Sequence, residues 1–378
     1  MASANAQWTK VSLRSFSPIM PVTPHRASQL VSLRGSCHSI AMSFRGAITI
    51  LLFAAAAVCA LNVPAARAQD RVEIVKVNGS PRSIQVHLPL EYSKRKRYPV
   101  VLMLHEMGGD GSLIARISHF NKTADQFGFI VVYPNSRDGR WTIAPDAGVR
   151  TIGPIGRRRT ILDDMTRPPR PDDVGGKPAN EIPFFNNLLD QIESEYSVDV
   201  SRIYATGFSD GGFMDFRLGC EMADRIAAIA TVGAVLPESL AESCNDWSWR
   251  AVPLLMMNGT DDPMVPYKGR LSTSVGFYLL PARESLKEWA KINNCGQKPA
   301  RDTISPSTSG GLQTLVETYT DCKDGATAVL YSIEKGGNTW PGGEQYIPVR
   351  FIGKTNDDLD ASEIIWKFFA MHPMPAKH

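Results

Sequence analysis

The chain has 378 residues, 43% of them hydrophobic and 21% charged, a balance that excludes a disordered or membrane-embedded protein and allows one large or two ordinary globular domains. Its formal net charge of +3 is unevenly spread. Residues 1–68 carry six basic side chains (Lys10, Arg14, Arg26, Arg34, Arg45, Arg67) and no acidic one, which leaves 35 basic against 38 acidic residues in the remainder, a net of −3. Nothing global therefore points to nucleic acid.

That first stretch reads as a leader. Arg45 precedes an apolar run from Ala47 to Leu61, and Ala66-Arg67-Ala68 offers a small-x-small cleavage site, the layout of a secretory signal peptide. The signal is placed at 42–68, with Met42 as the true start or 1–41 as a dispensable extension. The mature chain then begins at Gln69 and is expected to be secreted, extracellular or periplasmic. A membrane anchor would need about 20 apolar residues, so no stable anchor is expected once the leader is gone. Removing the leader also takes Cys37 and Cys59, leaving four cysteines. In an exported chain these form two disulfides, and pairing of sequence neighbours gives Cys220–Cys244 and Cys295–Cys322. The cysteines include no Cys-x-x-Cys pair, so no metal site is expected, and no motif asks for a cofactor.

From Val72 onward, strand-length apolar runs alternate with helical patterns, the signature of a mostly parallel twisted sheet with helices on both faces. Val72–Val77 and Ser83–Leu88 alternate as an antiparallel lead-in. Continuous apolar runs at Tyr98–His105 and Phe127–Tyr133 are expected as buried parallel strands. Ile182, Phe185, Leu188, Leu189, Ile192 and Tyr196 recur at helical spacing. Further strands are expected at Arg202–Thr206, Ala227–Val232, Val252–Met257 and Ala326–Ile333, with helices at Gly211–Met222, Ala282–Ile292 and Ala361–Met371. The whole reads as a single α/β domain over 69–378. Residues 136–180 break the rhythm with eight arginines and little periodicity, and stand either as a lid that favours anionic substrates or as a solvated loop whose acids offset the charge.

Gly207-Phe208-Ser209-Asp210-Gly211 lies between an expected strand and an expected helix. Such a turn is so tight that side chains two before and two after the serine would collide with backbone, and it presents the serine as a nucleophile. The N–H of Asp210, at the helix start, is one expected oxyanion donor. The second should come from the glycine-rich loop after His105, through the N–H of Met107 or Glu106. His105 is placed as a loop-orienting or substrate-binding residue. A triad acid should follow a later strand, and Asp261 and Asp262 are both placed for it, one orienting a base and the other capping the turn.

Four ordered motifs carry a resemblance: Leu104-His105-x-x-Gly108-Gly109-Asp110-Gly111, Tyr204-x-Thr206-Gly207-x-Ser209-x-Gly211-Gly212, Gly259-Thr260-x-Asp262-x-x-Val265-Pro266-Tyr267 and Gly336-Gly337-x-Thr339-Trp340-Pro341-Gly342. Over residues 70–372 the chain resembles the polyhydroxybutyrate depolymerase and feruloyl esterase-like group of secreted α/β-hydrolases. The resemblance implies Ser209 as nucleophile, Asp262 as the triad acid and an ester or polyester as partner. It also exposes two departures. Glu106 stands where the pattern has glycine, and Asn338 stands where it has the catalytic histidine. An amide cannot accept the Ser209 proton at neutral pH. His87, His105, His119, His372 and His378 are the histidines left after the leader, and each reads as structural or solvated. Trp340 is expected to shape the pocket beside Asn338. The sequence thus supports a serine esterase with an altered base, or a silent hydrolase fold that binds a ligand or polymer; it leaves the oligomeric state open.

Overall fold

The structure is a computed structural model that describes residues 69–77, 80–143, 181–247, 250–271 and 278–375. The described residues fall in one compact unit, and the expected leader lies outside them. Strands β1 (Gln69–Val77) and β2 (Ser80–Leu88) form the antiparallel lead-in. They are followed by β3 (Tyr98–Leu104), β4 (Ile130–Pro134), β5 (Val198–Phe208), β6 (Ala228–Val232) and β7 (Leu254–Gly259). Short β8 (Arg270–Leu271) and β9 (Tyr278–Leu279) make a separate ribbon, and β10 (Ala300–Ile304), β11 (Thr314–Tyr319) and β12 (Ala328–Ile333) complete the main sheet. The ten-stranded order is β1-β2-β4-β3-β5-β6-β7-β12-β11-β10, with the run from β4 to β12 parallel and both flanks antiparallel.

Every residue of β3, β4, β6 and β7 is buried, which is why these strands read as continuous apolar runs rather than alternations. Helices cover both faces. One layer holds α3 (Glu181–Glu195), α4 (Asp210–Glu221), α5 (Glu238–Trp247) and α6 (Ala282–Ile292), with Phe185, Phe216 and Trp289 in its core. The other holds α1 (Gly111–Ser118), α2 (Phe120–Phe127) and α8 (Ala361–Ala370). There the Trp366 ring stacks on Phe129 at 4.1 Å and Phe369 on Tyr204 at 4.7 Å, tying the last helix to the sheet. A one-turn helix, α7 (Val349–Ile352), precedes α8.

The expected elements are present with shifted ends. Phe127 belongs to a helix rather than to β4, because Gly128 adopts a left-handed conformation (φ 76°) and ends α2 there. His119 is the hinge between α1 and α2, itself left-handed at φ 55°, not the first residue of a helix. Among the described residues no helix is long and apolar enough to cross a membrane.

Both neighbour pairings of cysteine are present. Cys220–Cys244 ties the end of α4 to α5, and Cys295–Cys322 closes the loop from the end of α6 to β12. With 24 residues of separation, the first closure limits the unfolded chain by about 3 kcal/mol. Replacing Cys220 and Cys244 together by serine is expected to lower the unfolding free energy in urea by about that amount; an unchanged midpoint would show that the bridge does not constrain the unfolded state.

Candidate active site

The elbow is built by close backbone approach. Strand β5 runs to Phe208, Ser209 turns with φ 53° and ψ −110°, and α4 begins at Asp210. A Cβ on Gly207 would lie 2.5 Å from the carbonyl carbon of Gly211, and one on Gly211 would lie 2.3 Å from the carbonyl oxygen of Leu104 on β3. Only glycine fits at either position. The serine pays for this with a left-handed backbone that non-glycine residues adopt rarely, and such strain persists only where the surroundings enforce it. Ser209 is half-buried, and no described residue makes a hydrogen bond to its Oγ. Its amide donates to the carbonyl of Val232 at 2.8 Å, which fixes the turn against β6.

The Asp210 N–H is the first of the helix, and so has no partner within it. The loop after β3 supplies the companion. There neither the Glu106 nor the Met107 N–H has a hydrogen-bond partner in another described residue, so both stay available as the second donor. The loop is fastened by residues that the sequence reading had assigned to the arginine-rich segment. Ser136 N–H donates to His105 Nε2 at 3.0 Å, and Gly108 N–H donates to Gly139 carbonyl at 2.7 Å. The Trp141 indole donates to the His105 carbonyl at 3.0 Å, and the Trp141 N–H donates to Asp210 Oδ2 at 2.8 Å. Residues 136–143 are thus a strap for the oxyanion loop; residues 144–180 lie outside the described structure.

Two expected ligand contacts are corrected. His105 is buried, with Nδ1 donating to Glu106 carbonyl at 2.7 Å and Nε2 accepting from Ser136, so both ring nitrogens are spent on the loop. Burial holds its pKa down at about 4, and the ring is neutral at physiological pH. Trp340 is also wholly buried. Its indole N–H donates to Ser362 Oγ at 3.1 Å, and its ring meets Phe120 and Phe208 edge-on, so it anchors its loop to the core instead of lining a pocket.

Asp262 follows β7 and is buried. Its Oδ1 accepts from the N–H groups of Met264 (2.8 Å) and Val265 (2.7 Å), and its Oδ2 accepts from Asn338 Nδ2 at 2.7 Å. Asn338 Nδ2 also donates to Gly233 carbonyl at 3.2 Å. The loops of Asp262 and Asn338 can meet because Gly259 leaves room: a Cβ there would stand 2.2 Å from the Gly336 carbonyl oxygen. Asn338 therefore makes the hydrogen bond to the acid that an imidazole N–H would make, but it brings no charge and takes no proton. Asp261, by contrast, lies outside this contact, on the exposed side of the turn.

Without a cation to face, Asp262 is pushed up to about 7 by burial, against the lowering effect of its three hydrogen bonds. Two more carboxyls beside the elbow are raised. Asp210 lies near 6, through burial opposed by the Trp141 N–H, and Glu106 lies near 7, again through burial. None of the three is hydrogen-bonded to a cationic side chain among the described residues. Beyond its backbone N–H and its departure from the glycine of the pattern, the sequence carries no sign that Glu106 is buried with an Oε2 that has no partner among the described residues.

A family model described as phospholipase/carboxylesterase matches residues 177–278, the span that contains the elbow and Asp262. The putative esterase NocK of Nocardia uniformis subsp. tsuyamanensis is 25% identical over 311 residues, 79% of this chain and 82% of that protein. Feruloyl esterase B of Piromyces equi is 29% identical over 260 residues, 68% of this chain; the chain spans only 42% of that longer protein. Among solved structures, an acetyl xylan esterase from Aspergillus awamori aligns over 70% of this chain and 92% of its own at 16% identity, with a TM-score of 0.43.

A buried carboxyl whose folded pKa lies above its unfolded value stabilises the fold fully below the unfolded pKa and loses that contribution as pH rises through the folded one. For Asp262 the window runs from about 4, the ordinary aspartate value, to about 7. Asp262→Asn is therefore expected to gain stability relative to the parent as pH rises across that window, read by urea unfolding at each pH; a difference that shrinks with pH would contradict the assignment. With its elbow, its parallel sheet and its esterase relatives, the chain has an α/β-hydrolase fold and is similar to feruloyl esterases and related carboxylic ester hydrolases.

Proposed function

We propose that the chain is a serine esterase that cleaves carboxylic esters through an acyl-enzyme on Ser209, with Asp262 as the acid position and Asn338 in the place of the histidine. The observation that carries this reading is the enforced left-handed backbone at Ser209, at the junction of β5 and α4, with an Oγ that has no partner among the described residues and the free Asp210 N–H next in the chain. Ser209 Oγ attacks the ester carbonyl carbon, and the Asp210 N–H, with that of Met107 or Glu106, holds the oxyanion. The alcohol leaves, and water releases the acid. Feruloyl, acetyl or polyhydroxyalkanoate-like esters are the substrate class, in line with relatives named as feruloyl and acetylxylan esterases. The paired cysteines and the leader pattern support an exported enzyme.

One observation favours a second reading. The Asn338 amide donates to Asp262 and to the Gly233 carbonyl, an acid–amide pair with no proton acceptor at that position, as a silent ligand-binding hydrolase fold would have. Hydrolysis of a short activated ester by the parent, Ser209→Ala and Asn338→His separates the two. The esterase reading expects turnover in the parent that Ser209→Ala abolishes, and a further increase of about 100-fold or more in Asn338→His, the scale of a positioned base. Parent turnover no greater than that of Ser209→Ala would mean that the native chain binds and does not cleave.

A further inference from the structure

The proton of Ser209 needs an acceptor, and the loop after the neighbouring strand carries a buried carboxyl, Glu106. On the parallel pair β3 and β5, Leu104 stands opposite Gly207. Two residues further along each chain, past the ends of the paired segments, come Glu106 and Ser209, and the Glu106 carboxyl lies against Gly109 of its own loop, where a Cβ would stand 2.8 Å from it. The two turns are also tied together, because Trp141 bonds the His105 carbonyl with its indole and the Asp210 side chain with its amide. Opposite them, the Tyr346 ring lies 6.1 Å from Phe208, and its phenol is raised by burial and then by the carboxylates of Glu106 and Asp262.

Glu106 is 4% exposed, and its Oε2 has no hydrogen-bond partner among the described residues. A buried carboxyl oxygen without a partner is costly, and such a group calls for an explanation. We propose that Glu106 is the proton acceptor for Ser209, a base carried by the oxyanion loop in place of the one absent at position 338. The inference depends on Ser209 being the nucleophile, as above. As Ser209 Oγ bonds to the ester carbonyl carbon, its proton passes to the Glu106 carboxylate. When the carbon–oxygen bond to the alcohol breaks, that proton goes to the departing alkoxide. In the second half, water gives a proton to the same carboxylate as its oxygen bonds to the acyl carbon. The proton returns to Ser209 Oγ as the acid leaves.

The surroundings suit the task. Burial and the carboxylates of Asp110, before α1, and Asp210, at the start of α4, raise Glu106, while its own N–H and Arg116 on α1 oppose them, leaving it near 7. A base is most effective when its pKa is close to the working pH. The two departures from the family pattern, glycine to Glu106 and histidine to Asn338, then compensate one another.

The test uses three variants of the full chain and a short activated ester. Glu106→Gln, which keeps the shape of the side chain, is expected to lower kcat by about 100-fold or more with an unchanged melting temperature. Adding Asn338→His to Glu106→Gln is expected to restore turnover, since an imidazole on Asp262 makes the loop carboxyl dispensable; a merely structural Glu106 would leave the double variant as impaired as the single one. Turnover that depends on Ser209 but stays within twofold of the parent in Glu106→Gln would overturn the assignment of Glu106 and leave the esterase reading standing. A double variant that stays as slow as Glu106→Gln would likewise overturn it. Absence of Ser209-dependent turnover in the parent would overturn both.

Discussion

The site depends on one steric constraint, the contact between the first turn of α4 and the end of β3. Gly211 sits so close to the Leu104 carbonyl that no Cβ fits between them, and Gly207 is pressed as tightly against Gly211. That approach forces Ser209 into the left-handed region at the C-terminal end of β5. The loop after β3 is tied to the helix start by side chains, with the Trp141 indole on the His105 carbonyl and the Trp141 N–H on the Asp210 carboxylate. The layered core, with helices of both faces anchored by Trp289 and by the Phe129–Trp366 stack, is what keeps the two strands from sliding apart.

Around this hinge the charge distribution is unusual for a triad. An imidazole between the serine and the acid would carry positive charge during reaction and keep Asp262 ionised. Asn338 offers the same hydrogen bond without the charge, and the carboxyl accordingly rises towards neutrality. Asp210 and Glu106 are likewise raised by burial, which outweighs the lowering by Arg140 and by Arg116. A cluster of carboxyls that can hold protons near neutral pH is chemically different from a conventional triad, and it is what makes a proton acceptor on the oxyanion loop reasonable.

Much of this was legible in the sequence, and the reasons are particular. The glycines around Ser209 are demanded by backbone collisions, so the elbow is written locally. The buried parallel strands are visible as unbroken apolar runs such as Tyr98–Leu104. Cys220 and Cys244 lie near enough along the chain for the pairing to be read. What escaped depends on contacts between distant segments. The Trp141 indole reaches back 36 residues to the His105 carbonyl, and nothing in an arginine-rich stretch announces that strap. Trp340 has the look of a pocket residue in its glycine-rich loop, and only packing against Phe120 and Phe208 reveals it as an anchor. Glu106 looked like a blemish in a loop motif because burial and an unsatisfied oxygen are three-dimensional properties.

The central claim is that the elbow presents Ser209 as a working nucleophile although the histidine position is an asparagine. Intact-protein and peptide mass spectrometry after brief mixing with an excess of an activated acetyl ester at neutral pH tests it most directly. A single acetyl group on the peptide that carries Ser209, appearing within the mixing time and decaying as ester is exhausted, is the predicted result. Unmodified Ser209, with acetyl found only on scattered surface lysines, would contradict it.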